Sequence, residues 1–254
     1  MRDSIAVAMS GGVDSSVAAW LLQQQGEQTV GVTMRLFTPE ELAPGQGERC
    51  HILEDIQDAR AVAAQLGIPH HALDLSGPFR ERVMEPFVRA YEQGRTPNPC
   101  VTCNRTIKFG ALLEAAGQLG CGRLATGHYA RTERDAGSGR VLLKRAVHPE
   151  KDQSYVLWSL SQAQLERVCF PLGGLSKEEI RAIAEEQGLV SARRRDSQDI
   201  CFVPDGDYAA FLCHHTGRTY PPGPFCDPEG RVLGVHEGII RYTVGQRRGL
   251  KVSS

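Results

Sequence analysis

Short apolar runs alternate with longer amphipathic stretches along the first half of the chain. Residues 4–9, "SIAVAM", are almost wholly apolar and run into Gly11 and Gly12, a pattern that predicts a buried strand. Residues 13–25 carry Val13, Val17, Trp20 and Leu21 at helical spacing. "QTVGVTM" (28–34) predicts a second strand, 54–66 a second helix, and "GIPHHALDL" a turn entering a third strand. Helices are predicted over 78–91 and 104–119, and a short strand over 123–126. Such alternation predicts an α/β fold, a parallel sheet with helices on both faces. Residues 38–49 and 135–140 read as flexible loops. No internal repeat and no low-complexity tract interrupts the pattern.

After about residue 205 the texture changes. "HHTGRTYPPGPFCDPEGRVLGVHEGIIRYTVGQRRGL" is rich in Gly and Pro, and "DPEGR" has the composition of a hairpin turn. The expected division is therefore a domain over 1–204 and a small, mostly β domain over 205–254. "GLKVSS" brings no closing strand or cap.

Composition narrows the class. With 41% hydrophobic and 23% charged residues, the chain reads as a soluble globular protein. No apolar run approaches the roughly 20 residues that span a bilayer, and the first one is too short for a secretory signal. Eight irregularly spaced cysteines do not make a disulfide scaffold. The expected compartment is the reducing cytoplasm, with Cys121 and Cys169 as core thiols. A net charge of −1 neither announces nor excludes a nucleic-acid partner, because a local basic face is sufficient.

Between the first strand and helix stands "AMSGGVDSS". Gly11 and Gly12 allow a tight turn and close backbone approach. The helix that follows presents unpaired N–H groups and the positive end of its dipole, and Ser10, Ser15 and Ser16 add hydroxyls. Phosphate is the natural guest of such a site. The spacing is neither that of a Walker A loop nor G-x-G-x-x-G; the plainer alternative is a Gly turn before an ordinary N-cap. The string resembles the PP-loop of ATP pyrophosphatases, which split ATP into AMP and pyrophosphate. That resemblance implies that Asp14 helps to hold Mg²⁺. By itself the loop leaves amidation, ligation, lysidine formation and thiolation open.

A second constellation is "RTPNPCVTCNRTIKFG", with Cys100 and Cys103, joined downstream by Cys201 in "RRRDSQDICF". With the helix predicted from Asn104, Cys103 stands at its N-terminus, where the dipole lowers a thiol pKa below about 8.5. Basic neighbours favour a thiolate at Cys201 too, against the reading of Cys201, between Ile200 and Phe202, as a buried small hydrophobe. Structural zinc on Cys100 and Cys103 lacks a second C-x-x-C.

"SGGVDSS", "GRTPNPCVTCNRTIKFG", "ATGHYAR", "KDQSYVLWSL", "RRRDSQDICF" and "YTVGQRRGL" follow one another in the order seen in tRNA-specific 2-thiouridylases, the MnmA/TrmU family, and the resemblance runs from Ile5 to about Leu250. It implies an enzyme that adenylates the C2 oxygen of the wobble uridine in tRNAs for Lys, Glu and Gln, then delivers sulfur. It also implies Cys201 as persulfide carrier, Cys103 as nucleophile and a Cys103–Cys201 disulfide at the end of the cycle. The implied ATP site comprises Ala8, Met9, Ser10, Gly11, Gly12, Val13, Asp14, Ser15, Met34 and Gly127. Asn98, Pro99 and Cys100 are placed against the target base, and His128, Lys151, Asp152 and Gln153 against tRNA. The resemblance further implies a cysteine desulfurase or a relay protein as the sulfur source, and no membrane partner is expected. For His128 a core or turn histidine is the plainer reading, and for the "KDQ" segment an ordinary polar helix start. Arg193, Arg194, Arg195, Arg247 and Arg248 are candidate phosphate contacts or solvated surface charge.

Two departures qualify the resemblance. Many family members carry Asp where this chain has Cys100, and a third thiol beside Cys103 and Cys201 suggests a [4Fe-4S] ligand set. Family members also continue for about another hundred residues into a C-terminal β-barrel (resemblance only); the sequence ends near the start of that region, so the expectation is that the barrel is absent, truncated or simply not included. Rival readings are another PP-loop ligase, such as a lysidine synthase or an amidotransferase, and a non-catalytic tRNA- and ATP-binding form.

Overall fold

A computed structural model describes residues 4–45, 52–192, 194, 200–250 and 252. The chain divides into two compact units. The first comprises Met1–Phe37, His51–Arg82 and Cys100–Gln198; the second comprises Thr38–Cys50, Val83–Pro99 and Asp199–Ser254.

The first unit is built on a parallel sheet. Strands β1 (Ser4–Ala8), β2 (Thr29–Arg35), β3 (His70–Asp74), β4 (Cys121–Thr126) and β7 (Val168–Cys169) lie in the order β3-β2-β1-β4-β7, every pairing parallel. Helix α1 (Val13–Gln24) follows β1 and α2 (Ile52–Leu66) leads into β3. These elements match the expected α/β pattern to within a few residues. α1 is apolar on two sides. Ala19 and Leu22 join Ile5, Val7 and Met9 in one cluster with Ala59, Val62 and Ala63 of α2. Val13, Val17 and Ala18 join a second cluster with Ile180 and Ala184 of α8 (Lys177–Glu186). A helix buried on both sides holds its first turn firmly in place. Cys121 is buried and Cys169 half-buried, each on a strand of this sheet.

The two later helices differ from the expectation in informative ways. The predicted helix at 78–91 starts at Ser76 as α3 (Ser76–Phe79), passes through a π-helical turn at Arg80–Met84 and ends as α4 (Glu85–Glu92). The predicted helix at 104–119 starts at Pro99. It runs through α5 (Pro99–Cys103), a π-helical stretch at Asn104–Leu112 and α6 (Leu113–Gln118). Proline is a natural first helical residue, so "NPC" and not Asn104 marks the start. The widened π turns leave carbonyls that an α-helix would pair. The side-chain amide of Gln164, in α7 (Gln162–Leu165), donates to two of them, Arg105 O at 2.9 Å and Phe109 O at 2.7 Å.

The pattern also hid a hairpin, β5 (Ala130–Arg134) with β6 (Val141–Arg145). Its connection, 135–140, is a tight turn and not the expected flexible loop: Asp135 Oδ2 accepts from the amide and hydroxyl of Ser138 at 2.8 and 2.5 Å. In the other expected loop, Pro39–Glu41 form a 3₁₀ turn closed by a Thr38/Glu41 capping box; residues 46–49 of it lie outside the described residues.

The second unit packs around aromatic rings. Phe202 meets Phe87 edge-on, centroids 5.2 Å apart, and Phe211 at 5.1 Å; Tyr91 stacks on Tyr208 at 4.8 Å. The stretch after residue 205 opens with helix α9 (Tyr208–Thr216), which the Gly/Pro-rich reading overlooked. Asp207 caps it by accepting from Ala210 N at 3.0 Å, and Gly217 ends it at φ +65°. The expected hairpin turn is present: Asp227–Arg231 joins antiparallel β8 (Gly223–Cys226) and β9 (Val232–His236), with Arg231 N donating to Asp227 Oδ1 at 2.8 Å.

Candidate active site

Sheet order locates the site. β1 lies between β2 and β4, so the chain leaves β1 on one side and later returns on the other. In open parallel sheets, ligands bind beyond the carboxyl ends of the strands at such a reversal. Two loops leave there, 9–12 after β1 and 127–129 after β4.

Both loops require glycine. Gly11 has φ +76°, and a Cβ on it would stand 2.6 Å from the carbonyl oxygen of Asp55. A Cβ on Gly127 would stand 2.9 Å from Asp14 C and Ser15 N. Backbone thus crowds the first turn of α1, whose cap residue Gly12 offers no side-chain acceptor. The first-turn amides have no intrahelical partner and the helix dipole points at the same place.

The serines divide their work. Ser10 is exposed, whereas Ser15 and Ser16 are buried. Ser15 Oγ accepts from Ser10 N at 3.2 Å and donates to Gly12 O at 3.1 Å. Ser16 Oγ donates to Gly12 O at 2.8 Å and accepts from Ser191 Oγ at 2.8 Å. Two of the three expected phosphate donors instead fix the shape of the loop. Met9 and Val13 are interior, so only their backbone is available to a ligand, while Ala8 and Met34 are half-buried at strand ends.

Asp14 lies in the first turn of α1. Its Oδ1 accepts from Lys177 Nζ at 2.7 Å and from Tyr129 Oη at 2.8 Å. Neither partner is legible from sequence: Lys177 is 163 residues away and looks like an ordinary lysine after the Ser176 cap. The assembled set fits a nucleoside triphosphate with its magnesium. Glycines admit backbone to the phosphates, amides face the charge, and Asp14 is a hard oxygen ligand.

The cysteine stretch contradicts one expectation. Cys103 is not at a helix N-terminus but four residues into the helix that opens at Pro99, and it is buried. Burial pushes its thiol up to about 11; Lys108 opposes the rise and Cys100 adds to it. Desolvation outweighs the dipole because a thiolate loses its hydration in the interior. Cys100 and Asn98 are exposed, and Pro99 is buried. Cys201 is exposed too; the buried member of its stretch is Phe202. Alkylation with iodoacetamide at about pH 8 should therefore modify Cys100, Cys201 and Cys226 first and Cys103 and Cys121 last, read by peptide mass mapping. Equal rates at Cys103 and Cys201 would contradict the burial described.

His128 lies in an aromatic interior, its ring 6.0 Å from Phe109 and 6.1 Å from Phe170. Its Nδ1 pairs with Thr126 Oγ1 at 2.7 Å, and burial, reinforced by Lys108, holds its pKa well below the ordinary histidine value. Asp152 and Gln153 are engaged locally. Asp152 Oδ1 accepts from Ala146 N at 2.8 Å, Asp152 Oδ2 from Ser154 Oγ at 2.7 Å, and Gln153 Oε1 from Tyr129 N at 3.0 Å. Burial would raise the Asp152 pKa, but these hydrogen bonds and Arg145 outweigh it and lower it. Lys151 is half-buried in a 3₁₀ turn, Pro149–Lys151. Arg194 pairs with Asp55 and Asp58, 2.5 Å each, and so clamps α2. Arg193 and Arg195 lie outside the described residues, and Arg247 and Arg248 are exposed.

A family model described as the tRNA methyl transferase HUP domain matches residues 3–205, and another, the tRNA methyl transferase PRC-barrel domain, matches 209–254. The tRNA-specific 2-thiouridylase MnmA 2 of Thermoanaerobacter sp. (strain X514) is 51% identical over 255 residues, covering 100% of this chain and 70% of that relative. The chain belongs to the MnmA family of tRNA-specific 2-thiouridylases. The MnmA of Trichlorobacter lovleyi is 53% identical over 250 residues, covering 98% of this chain and 68% of its own. Among solved structures, a 4-thiouridine synthetase in complex with RNA and ATP superposes with a TM-score of 0.50 at 21% identity, over 80% of this chain and 46% of that one, a likeness of fold alone. Membership of the MnmA family sets aside the lysidine-synthase and amidotransferase readings. The cluster expectation for this MnmA chain finds no support: among the described residues, no group of three or more His, Cys, Asp or Glu is placed to hold a metal ion. No described helix is long and apolar enough to cross a membrane.

Proposed function

We propose that this MnmA chain is an ATP-dependent tRNA 2-sulfurtransferase acting on the wobble uridine of tRNAs for Lys, Glu and Gln. What carries the reading is the pairing of a glycine-built phosphate cradle with two thiols in opposite environments, Cys103 buried and Cys201 exposed.

The C2 carbonyl of uridine is urea-like and has no leaving group. Its oxygen attacks the α-phosphate of ATP, pyrophosphate leaves, and the C2 oxygen becomes part of a phosphoester. Gly11, Gly12, Gly127 and the first turn of α1 bind the phosphates, and Met34 lies near the adenine. Asp14 would hold Mg²⁺, which when bound would supply charge to offset that of the departing pyrophosphate. The base is extruded from its stack to lie against Asn98, Pro99 and Cys100. Lys151, Asp152 and Gln153 border the RNA.

An exposed thiol suits the receipt of sulfur from a protein donor, a cysteine desulfurase or a relay protein, which makes Cys201 the persulfide carrier. The Cys103 thiolate attacks Cys201 Sγ, the persulfide S–S bond breaks, and the terminal sulfur leaves as hydrosulfide to add at C2. The C2–O bond then breaks, with AMP as leaving group. The two cysteines end as a disulfide, and a dithiol reductant returns them to thiols with two electrons and two protons. Such a reset fits the cytoplasm.

The test is nucleoside mass spectrometry of unmodified tRNA incubated with the full chain, MgATP and a persulfide donor. One sulfur for one oxygen at uridine is expected, with AMP and pyrophosphate formed alongside. No mass gain, with no pyrophosphate released, would refute the reading.

A further inference from the structure

Lys177 is 6% exposed, and Tyr129 is 2% exposed. Both converge on one carboxylate oxygen, Asp14 Oδ1, from different parts of the chain. Burying an ammonium is costly unless it is paired, and one partner here is Asp14, the carboxylate in the first turn of the cradle helix. That carboxylate poses an electrostatic problem. It stands where amides and dipole gather to attract anions, so its own charge repels a polyphosphate. The two donors take Oδ1 and neither takes Oδ2.

We propose that Lys177 is a positioning residue which, with Tyr129, neutralises Asp14 and fixes Oδ1, so that the cradle admits a polyphosphate and Oδ2 remains for its divalent cation. This rests on the cradle's being the ATP site. Lys177 then governs how far nucleotide binding depends on the metal. With Lys177 present, the site binds the phosphate chain unaided; without it, an unscreened Asp14 excludes any polyphosphate that brings no cation.

Calorimetric titration of the full chain tests this with two probes, inorganic pyrophosphate in the presence of a chelator and MgATP. Lys177→Met should weaken metal-free pyrophosphate binding about a hundredfold, the scale of one unscreened charge a few ångströms away at intermediate dielectric. MgATP binding should weaken only about tenfold, because the cation supplies the missing charge. Removing the repelling charge as well, in Asp14→Asn/Lys177→Met, should restore pyrophosphate affinity to within about threefold of wild type. A purely structural role for Lys177 would not produce that rescue. Should Lys177→Met fail to fold, Asp14→Asn alone decides: metal-free pyrophosphate should bind more tightly and MgATP more weakly. Wild-type affinity for pyrophosphate in Lys177→Met, no rescue in the double variant, or both ligands weakened in Asp14→Asn would each overturn the inference. Wild-type protein that binds neither probe would overturn the cradle reading along with it.

Discussion

Cys201→Ser and Cys103→Ser should each bring 2-thiouridine formation below detection while a single turnover of pyrophosphate release survives. Adenylation needs the cradle and the target base; neither thiol enters until sulfur moves. A serine at 201 cannot carry a persulfide. A serine at 103 cannot attack Cys201 Sγ, because an alkoxide is not available near neutral pH and an S–O bond is a poor substitute for S–S. A rapid-quench assay for pyrophosphate beside nucleoside mass spectrometry separates the two steps. Loss of both products in either variant would tie the thiols to adenylation instead. The burial of Cys103 adds a pH signature. Its pKa is raised to about 11, so the protonated thiol dominates at neutral pH and the reactive thiolate is the minor form. The rate of the sulfur step from preformed adenylate and persulfide should therefore rise about tenfold per pH unit from neutrality to near pH 10. A flat profile above neutrality would mean that Cys103 ionises in an environment other than the one described. The same shift has a consequence for stability. A thiol kept neutral by the fold stabilises it fully below the ordinary thiol range, and that contribution is lost as pH rises through the folded value of about 11.

What could be read from sequence was local. The β1–α1–β2 run showed its periods plainly because the strands are buried and their apolar runs are unbroken. The cradle was legible because its glycines are adjacent and follow a strand. The start of the helix at Pro99 is signalled by Asn-Pro, but the same pair also opens turns, so the signal does not fix the start. β5 and β6 were lost because "ARTER" and "VLLKR" put charges on exposed positions of a two-stranded hairpin. α9 was lost between Gly- and Pro-rich flanks. The thiol pKa of Cys103 depends on what covers it, which no spacing rule contains, and a dipole argument taken alone had the wrong sign. Lys177 and Tyr129 show the same limit from the other side. Their meaning is a distance to Asp14, created only when the sheet brings α8 and the segment after β4 to the first turn of α1.

The cradle itself makes the second large prediction. Gly11→Ala should weaken MgATP binding about a hundredfold or more and lower the melting temperature by about 4–8 °C. Two costs combine. An L residue held near φ +76° is strained by about 1–2 kcal/mol. Its Cβ would also meet the Asp55 carbonyl oxygen at 2.6 Å, and that neighbour is backbone, which cannot rotate away. Nor can α2 withdraw freely, since Arg194 clamps Asp55 and Asp58. The loop must yield instead, and with it the alignment of amides on which phosphate binding depends. Gly26→Ala is the control. Gly26 has φ +75°, but a Cβ there meets nothing within 4 Å, and it lies beyond the far end of α1. It should show the strain alone: a smaller fall in melting temperature, and MgATP affinity unchanged. The difference between the two variants isolates the collision from the strain. If Gly11→Ala binds MgATP as well as Gly26→Ala does, the loop at 9–12 does not hold the phosphates, and the nucleotide must be sought elsewhere on the sheet.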